Sequence, residues 1–103
     1  MPPRAAKAPA AKDTRQLSDL QGIGRAMLKD FDLLGVHSVS ALAQCAGDEL
    51  YHRLCKLTNT RMDPCVHDTF VCAVAQACNP QLPREQCDWW YWSAIRKNSG
   101  IKL

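Results

Sequence analysis

Two glycines one residue apart sit in Leu20-Gln21-Gly22-Ile23-Gly24-Arg25-Ala26-Met27, the stretch of this chain with the most chemical promise. Residues without a Cβ enter positive φ without a clash, so the spacing predicts a sharp bend with positive φ at both Gly22 and Gly24. Ile23 between them is expected to turn inward and pin the bend against two helical segments. If a helix begins at Arg25, the amides of Gly22, Gly24 and Arg25 precede its first hydrogen bond. Unpaired N–H groups and the helix dipole favour an anion there. The anion expected is a nucleic-acid phosphate, with Arg25 and Lys29 adding charge-assisted contacts. Such contacts hold the backbone and read no bases.

The other reactive residues are less well arranged. The six cysteines (45, 55, 65, 72, 78 and 87) lack the close Cys-x-x-Cys pairs of a structural zinc site. A metal or redox centre would have to draw on Cys55, Cys65, Cys72 and His67. On a helical wheel His67 lies roughly 160° from Cys72, at ~100° per residue. Cysteines acting as small buried hydrophobes is the stronger reading. Cys65 and His67 fall on opposed sides of a helix, which is poor geometry for a thiolate–imidazole pair. Asp48 and Glu49 are neighbours at a helix start, where acids favour the dipole. Without paired carboxylates, a phosphate loop or a metal motif, the expectation is a non-enzyme with no metal ligands.

Trp89-Trp90-Tyr91-Trp92 holds four of the seven aromatic residues. Consecutive residues of a helix point in different directions, so at least one ring is expected to stay partly exposed. Exposed rings at Trp89, Trp90 or Trp92, next to Arg96 and Lys97, could stack an unpaired base or anchor a protein partner. The competing reading, which is preferred, has two tryptophans clamping the C-terminal segment onto the core.

These residues need elements to position them. Thr14 is expected to cap a short helix through Leu20, with Leu17 and Leu20 inward. Met27, Phe31 and Leu34 form one apolar stripe, with Lys29, Asp30 and Asp32 toward solvent, and Gly35 ends that helix in the left-handed region. Ser38 caps a short helix carrying Val39 and Leu42. Gly47-Asp48 opens another, burying Leu50, Leu54 and Leu57. Residues 58–63 form a turn. Asp63-Pro64 then couples a capping carboxylate to proline at the first helical position. The helix it opens is expected to run to about Cys78 and bury Val66, Phe70, Val74 and Ala77. Asn79-Pro80 stops it, and Pro83 is expected to open a last helix carrying Cys87 and the tryptophans. No run alternates with period two, so the fold class is all-α.

The pattern Leu-x-Gly-Ile-Gly, followed by Leu34-Gly35-Val36-x-Ser38-Val39-x-x-Leu42, resembles the helix-hairpin-helix module of DNA-repair and recombination proteins. With Glu49-Leu50-Tyr51-x-x-Leu54-Cys55, Asp63-x-Cys65-Val66 and Trp89-Trp90-x-Trp92, the chain is similar to a bacterial family labelled "pathogenicity locus" (Cdd1-like, mitomycin-resistance-like) over roughly residues 16–97. The resemblance implies a compact bundle of five to six helices. One hairpin would be intact, and a degenerate second one would lie at 58–63, where no glycine occurs. It also implies sequence-independent DNA binding in repair or recombination, single or double stranded, and a monovalent cation held by the hairpin carbonyls when DNA is bound. No other cofactor is expected. The alternative is a protein-interaction module that keeps the hairpin as architecture.

Charge separates the ends from the middle. Residues 1–15 carry Arg4, Lys7, Lys12 and Arg15 against Asp13, whereas residues 16–103 carry nine basic and nine acidic residues. Residues 1–13 read as a disordered basic tail, 14–97 as one domain and 98–103 as a short tail. A neutral domain excludes a broad basic binding surface, since non-specific affinity comes mostly from neutralised phosphates. Met1-Pro2-Pro3-Arg4 begins no apolar signal region, and no run nears the ~20 apolar residues of a membrane span. A cytoplasmic protein with reduced thiols is expected.

Overall fold

In the computed structural model, which describes residues 15–100, every regular element is helical. A single 3-10 turn, Leu17–Asp19, leads through a bend into α1 (Arg25–Leu34). Then come α2 (Val39–Leu42), α3 (Gly47–Thr58), α4 (Pro64–Cys78), a second 3-10 turn (Arg84–Cys87) and α5 (Trp89–Ser99). Helix α4 is central, packing most extensively against α3 and α5.

The punctuation residues act as their chemistry dictates. Gly35 closes α1 at φ 77°. The Ser38 hydroxyl accepts the Ala41 amide at 3.0 Å, and an Asp63 carboxylate oxygen accepts that of Cys65 at 2.9 Å. Asn59 caps α3 at φ 52°, a left-handed residue in a turn without glycine. The expected cap Thr14 and tail 1–13 lie outside the described residues. The first 3-10 turn is instead preceded by Gln16, whose amide donates to Asp19 Oδ2 at 2.7 Å.

Phe31, Leu34, Val39, Leu42, Leu50, Leu54, Phe70 and Ala77 are buried as the periodicity predicts. Phe31 and Phe70 meet at the centre, ring centroids 5.5 Å apart. Met27, Val66 and Val74 are partly buried against that core, and Asp30 is half-buried rather than solvent-facing. Leu57 departs from its predicted place: it is 59 % exposed. Residues 56–61 are all exposed, so the last turn of α3 runs past the core. Tyr51 is buried instead, and its hydroxyl donates to Met62 O at 2.5 Å across the α3–α4 turn.

Two further features shape the packing. Gly47 lies so close to α4 that a Cβ there would stand 2.6 Å from Val71 Cα. It is a contact residue, not merely a helix start. Pro83 opens only the 3-10 turn, and extended Asp88 separates that turn from α5. Helix α5 then continues through Asn98 and Ser99, where the sequence suggests a tail.

Candidate functional site

The bend at 20–24 is built from the core outward. Ile23 is buried, and its amide donates to Leu20 O at 3.3 Å. Gly22 has φ 86°, a value that strains any side-chain-bearing residue. Gly24 differs from expectation. Its φ of −98° and ψ of −169° are extended backbone, because it is the N-cap of α1 and not a second left-handed residue.

Buried Gln76 of α4 fixes the bend to the bundle. Its Oε1 accepts the Gln21 amide at 2.9 Å, and its Nε2 donates to Gln21 O at 3.0 Å. The Gln21 side chain donates in turn to the carboxylate of Asp88, the residue that opens α5. Nothing in local spacing pointed to Gln76. Its signal was a lone amide among the small and apolar residues 70–78.

The first hydrogen bond of α1 runs from Leu28 N–H to Gly24 O, 3.0 Å. The amides of Gly22, Gly24, Arg25 and Ala26 precede it, on exposed residues, and meet no acceptor among the described residues. Arg25 and Lys29, one turn apart, are also exposed, and neither joins an ion pair among the described residues. Unbonded amides and two exposed cations thus share the start of α1.

The aromatic cluster divides as its helix requires. Trp89, Tyr91 and Trp92 are half-buried, and the Trp92 indole donates to Gln86 O at 2.7 Å. Trp90 is 59 % exposed, with Trp89 edge-on against it at 5.8 Å between centroids. Arg96 is not free to assist an exposed ring. Its Nε and Nη2 donate to Asp68 Oδ1 and Oδ2 at 2.8 and 3.0 Å.

Asp68 is fully buried and is the only acidic residue of α4. His67 Nδ1 stands 3.0 Å from the same Oδ1, and its ring packs edge-on against Tyr51. Burial alone would push the Asp68 carboxyl up. Hydrogen bonds from Arg96, then His67, with Ser93 behind them, outweigh it and hold the carboxyl below the usual carboxylate range. This network joins α4 to α5.

A family model described as "Pathogenicity locus" (Cdd1) matches residues 10–98. The chain belongs to the pathogenicity-locus family. It is also 32 % identical over 87 residues to a Streptomyces lavendulae protein named mitomycin resistance protein McrB, covering 84 % of this chain and 79 % of that relative. No solved structure matches.

In this pathogenicity-locus protein the cysteines are dispersed rather than clustered. All six are free thiols, and no group of three or more metal-binding side chains occurs among the described residues. Cys65 is exposed while Cys72, two turns on, is buried, so the two do not share an environment. Burial pushes the Cys72 thiol up to about 11, and its Sγ lies 3.6 Å from Gln86 O. Cys55 Sγ accepts the Met62 amide at 3.4 Å. No helix among the described residues is long and apolar enough to cross a membrane.

Proposed function

We propose that this protein binds DNA without sequence preference, gripping backbone phosphate at the 22–25 bend as a helix-hairpin-helix motif, in an accessory role in repair or recombination. The observation that supports it is the set of unbonded amides at Gly22, Gly24, Arg25 and Ala26, on exposed residues, with the exposed cations Arg25 and Lys29 one turn apart on the same helix. Amides and cations at one helix start suit a phosphate, and contacts of this kind position a duplex or strand without reading it. A relative named for mitomycin resistance is compatible with this reading. A monovalent cation on the bend carbonyls belongs to the same proposal, with no other cofactor and no catalytic step.

Gly24→Asp tests the site without disturbing the fold. The N-cap torsions suit aspartate, and a Cβ at residue 24 meets nothing within 4 Å. The new carboxylate would cap the α1 amides from within and repel phosphate. Fluorescence anisotropy with labelled oligonucleotides should show wild type binding at micromolar concentrations or weaker. Its log–log salt slope should be near −2, as about two phosphates are neutralised. Gly24→Asp should bind at least tenfold more weakly at equal or higher thermal stability. Undiminished binding by that variant would refute the bend as the site.

A second reading, docking onto a protein, is favoured by Leu33 and Leu57, which are 53 % and 59 % exposed. It predicts that any affinity of the full chain for DNA disappears when residues 1–15, with Arg4, Lys7, Lys12 and Arg15, are deleted, and is unchanged by Gly24→Asp. It also predicts a partner recovered by wild type and lost when either leucine is changed to Ser.

A further inference from the structure

The end of α3 and the turn into α4 border a cleft of about 470 Å³, whose lining includes no residue of the bend. Tyr51 and Cys55, buried and half-buried, are its innermost residues, and His52, Lys56, Asn59 and Arg61 line it from exposed positions. The volume lies within the roughly 300–1,000 Å³ of small-ligand pockets. Its charge is one-sided: Lys56 and Arg61 are cations, and no carboxylate lines the cleft. The acid of the turn, Asp63, is committed to the Cys65 amide at 2.9 Å. Arg61 stands beside the Tyr51 hydroxyl. Burial, then Cys55, pushes that hydroxyl up, and the guanidinium pulls the other way.

One effect opposes an anion here, since a helix C-terminus carries roughly half a negative charge. The last carbonyls of α3 are already occupied, however. Leu54 O accepts the Thr58 hydroxyl at 2.8 Å, Cys55 O the Thr60 amide at 3.0 Å and Lys56 O the Asn59 amide at 3.2 Å. The pair of cations outweighs what is left. The Asn59 side chain makes no hydrogen bond among the described residues and adds an N–H donor. We propose that this cleft binds a phosphate monoester, with Arg61 and Lys56 sharing its charge and Asn59 donating to it. A monoester carries about −1.5 to −2 at pH 7 and so suits a pair of cations better than the single charge of a carboxylate or phosphodiester. The guanidinium fork fits phosphate oxygens, and the ammonium serves as a point charge. The bend plays no part in this site, so the two stand or fall separately.

The isotope-labelled full chain can be titrated with thymidine 5′-monophosphate, its 3′,5′-cyclic diester and thymidine, following backbone amide NMR signals. The monophosphate should give saturable shifts at residues 51–61, the cyclic diester should bind more weakly, and thymidine should move nothing there. Lys56→Gln and Arg61→Gln should each weaken monophosphate binding about fivefold. The Lys56 side chain has no partner among the described residues, so Lys56→Gln should keep the wild-type thermal midpoint. A 5′-phosphorylated oligo(dT) that shifts residues 51–61 at lower concentration than the monophosphate supports the site and gives its source as a strand end. The reverse order supports the site and gives a free small monoester. Absent shifts at 51–61, equal binding of the cyclic diester, or undiminished binding by Lys56→Gln would overturn the proposal. Shifts gathered at 22–26 instead would overturn it and leave the phosphate reading of the bend in place.

Discussion

Removing the Asp68 carboxylate tests how α5, and with it the aromatic cluster, is held. In Asp68→Ala the Arg96 guanidinium, whose side chain is 14 % exposed, keeps its charge and loses both acceptors. His67 loses its Nδ1 partner at the same time. Breaking a buried ion pair from one side costs about 3–5 kcal/mol, because the remaining charge is stranded. Arg96 can recover some hydration through its exposed edge, so a loss near 3 kcal/mol is expected. With a urea m-value of about 1 kcal/mol/M for a domain this small, the midpoint should fall by roughly 3 M. The thermal midpoint should drop by about 12–24 °C. Asp68→Leu combined with Arg96→Met strands no charge and should recover more than half of that loss. A single-variant loss below about 1 kcal/mol, or a double variant no better than the single, would refute the reasoning. The pH dependence has a definite sign. The Asp68 carboxyl is held down in the folded state, so its contribution is complete above the unfolded carboxylate value near 4 and fades as pH falls through the lower folded value. Asp68→Asn should flatten that acid limb.

Two further outcomes follow from the packing. Gly47→Ala should cost about 1–3 kcal/mol in urea unfolding, since its Cβ would enter the backbone of Val71, whereas Gly24→Ala, which meets nothing within 4 Å, should cost only the N-cap preference of glycine over alanine, below about 1 kcal/mol. Thiol labelling at pH 8 should modify exposed Cys78 first and Cys65 more slowly, because hydrogen bonding to Asp63 pushes the Cys65 thiol up. Buried Cys72, raised to about 11, should react only on unfolding, as mass mapping of labelled peptides can show.

The helix boundaries legible in the sequence are those set by residues within one turn of each other. Ser38, Gly35 and the Asp63-Pro64 pair act through bonds or torsions spanning a few residues, and their elements lie where the spacing places them. The α1 stripe also holds, because Phe31 and Leu34 face the centre of the bundle. Periodicity fails for Leu57, since it cannot say where a helix outruns the core. The interactions that fix the candidate site were beyond local reading. Gln21 and Gln76 lie 55 residues apart, and Asp68 and Arg96 lie 28 apart. Each left only a faint mark: the one side-chain amide and the one carboxylate of a mostly apolar helix. Gly47 left none, because a close approach between helices is visible only once both are placed. At the bend, the glycine spacing located the feature correctly and its torsions half correctly, since an N-cap needs no positive φ.

The charge balance and the bend bear on one another. With nine basic and nine acidic residues over 16–103, the domain has no net charge with which to draw a polyanion from a distance. Whatever affinity it has for DNA must come from short-range groups already in position. A loop of this length left to itself would lose backbone entropy on binding, at about 1–2 kcal/mol per residue fixed. Here that ordering is completed during folding: Ile23 is anchored in the core, Gln76 holds both the amide and the carbonyl of Gln21, and Asp88 holds its side chain. None of these anchors uses the amides of Gly22, Gly24, Arg25 or Ala26. A neutral domain can hold a phosphate at such a place only if the donors are rigid, and the three anchors supply that rigidity from Gln76 of α4, Asp88 at the start of α5, and the core.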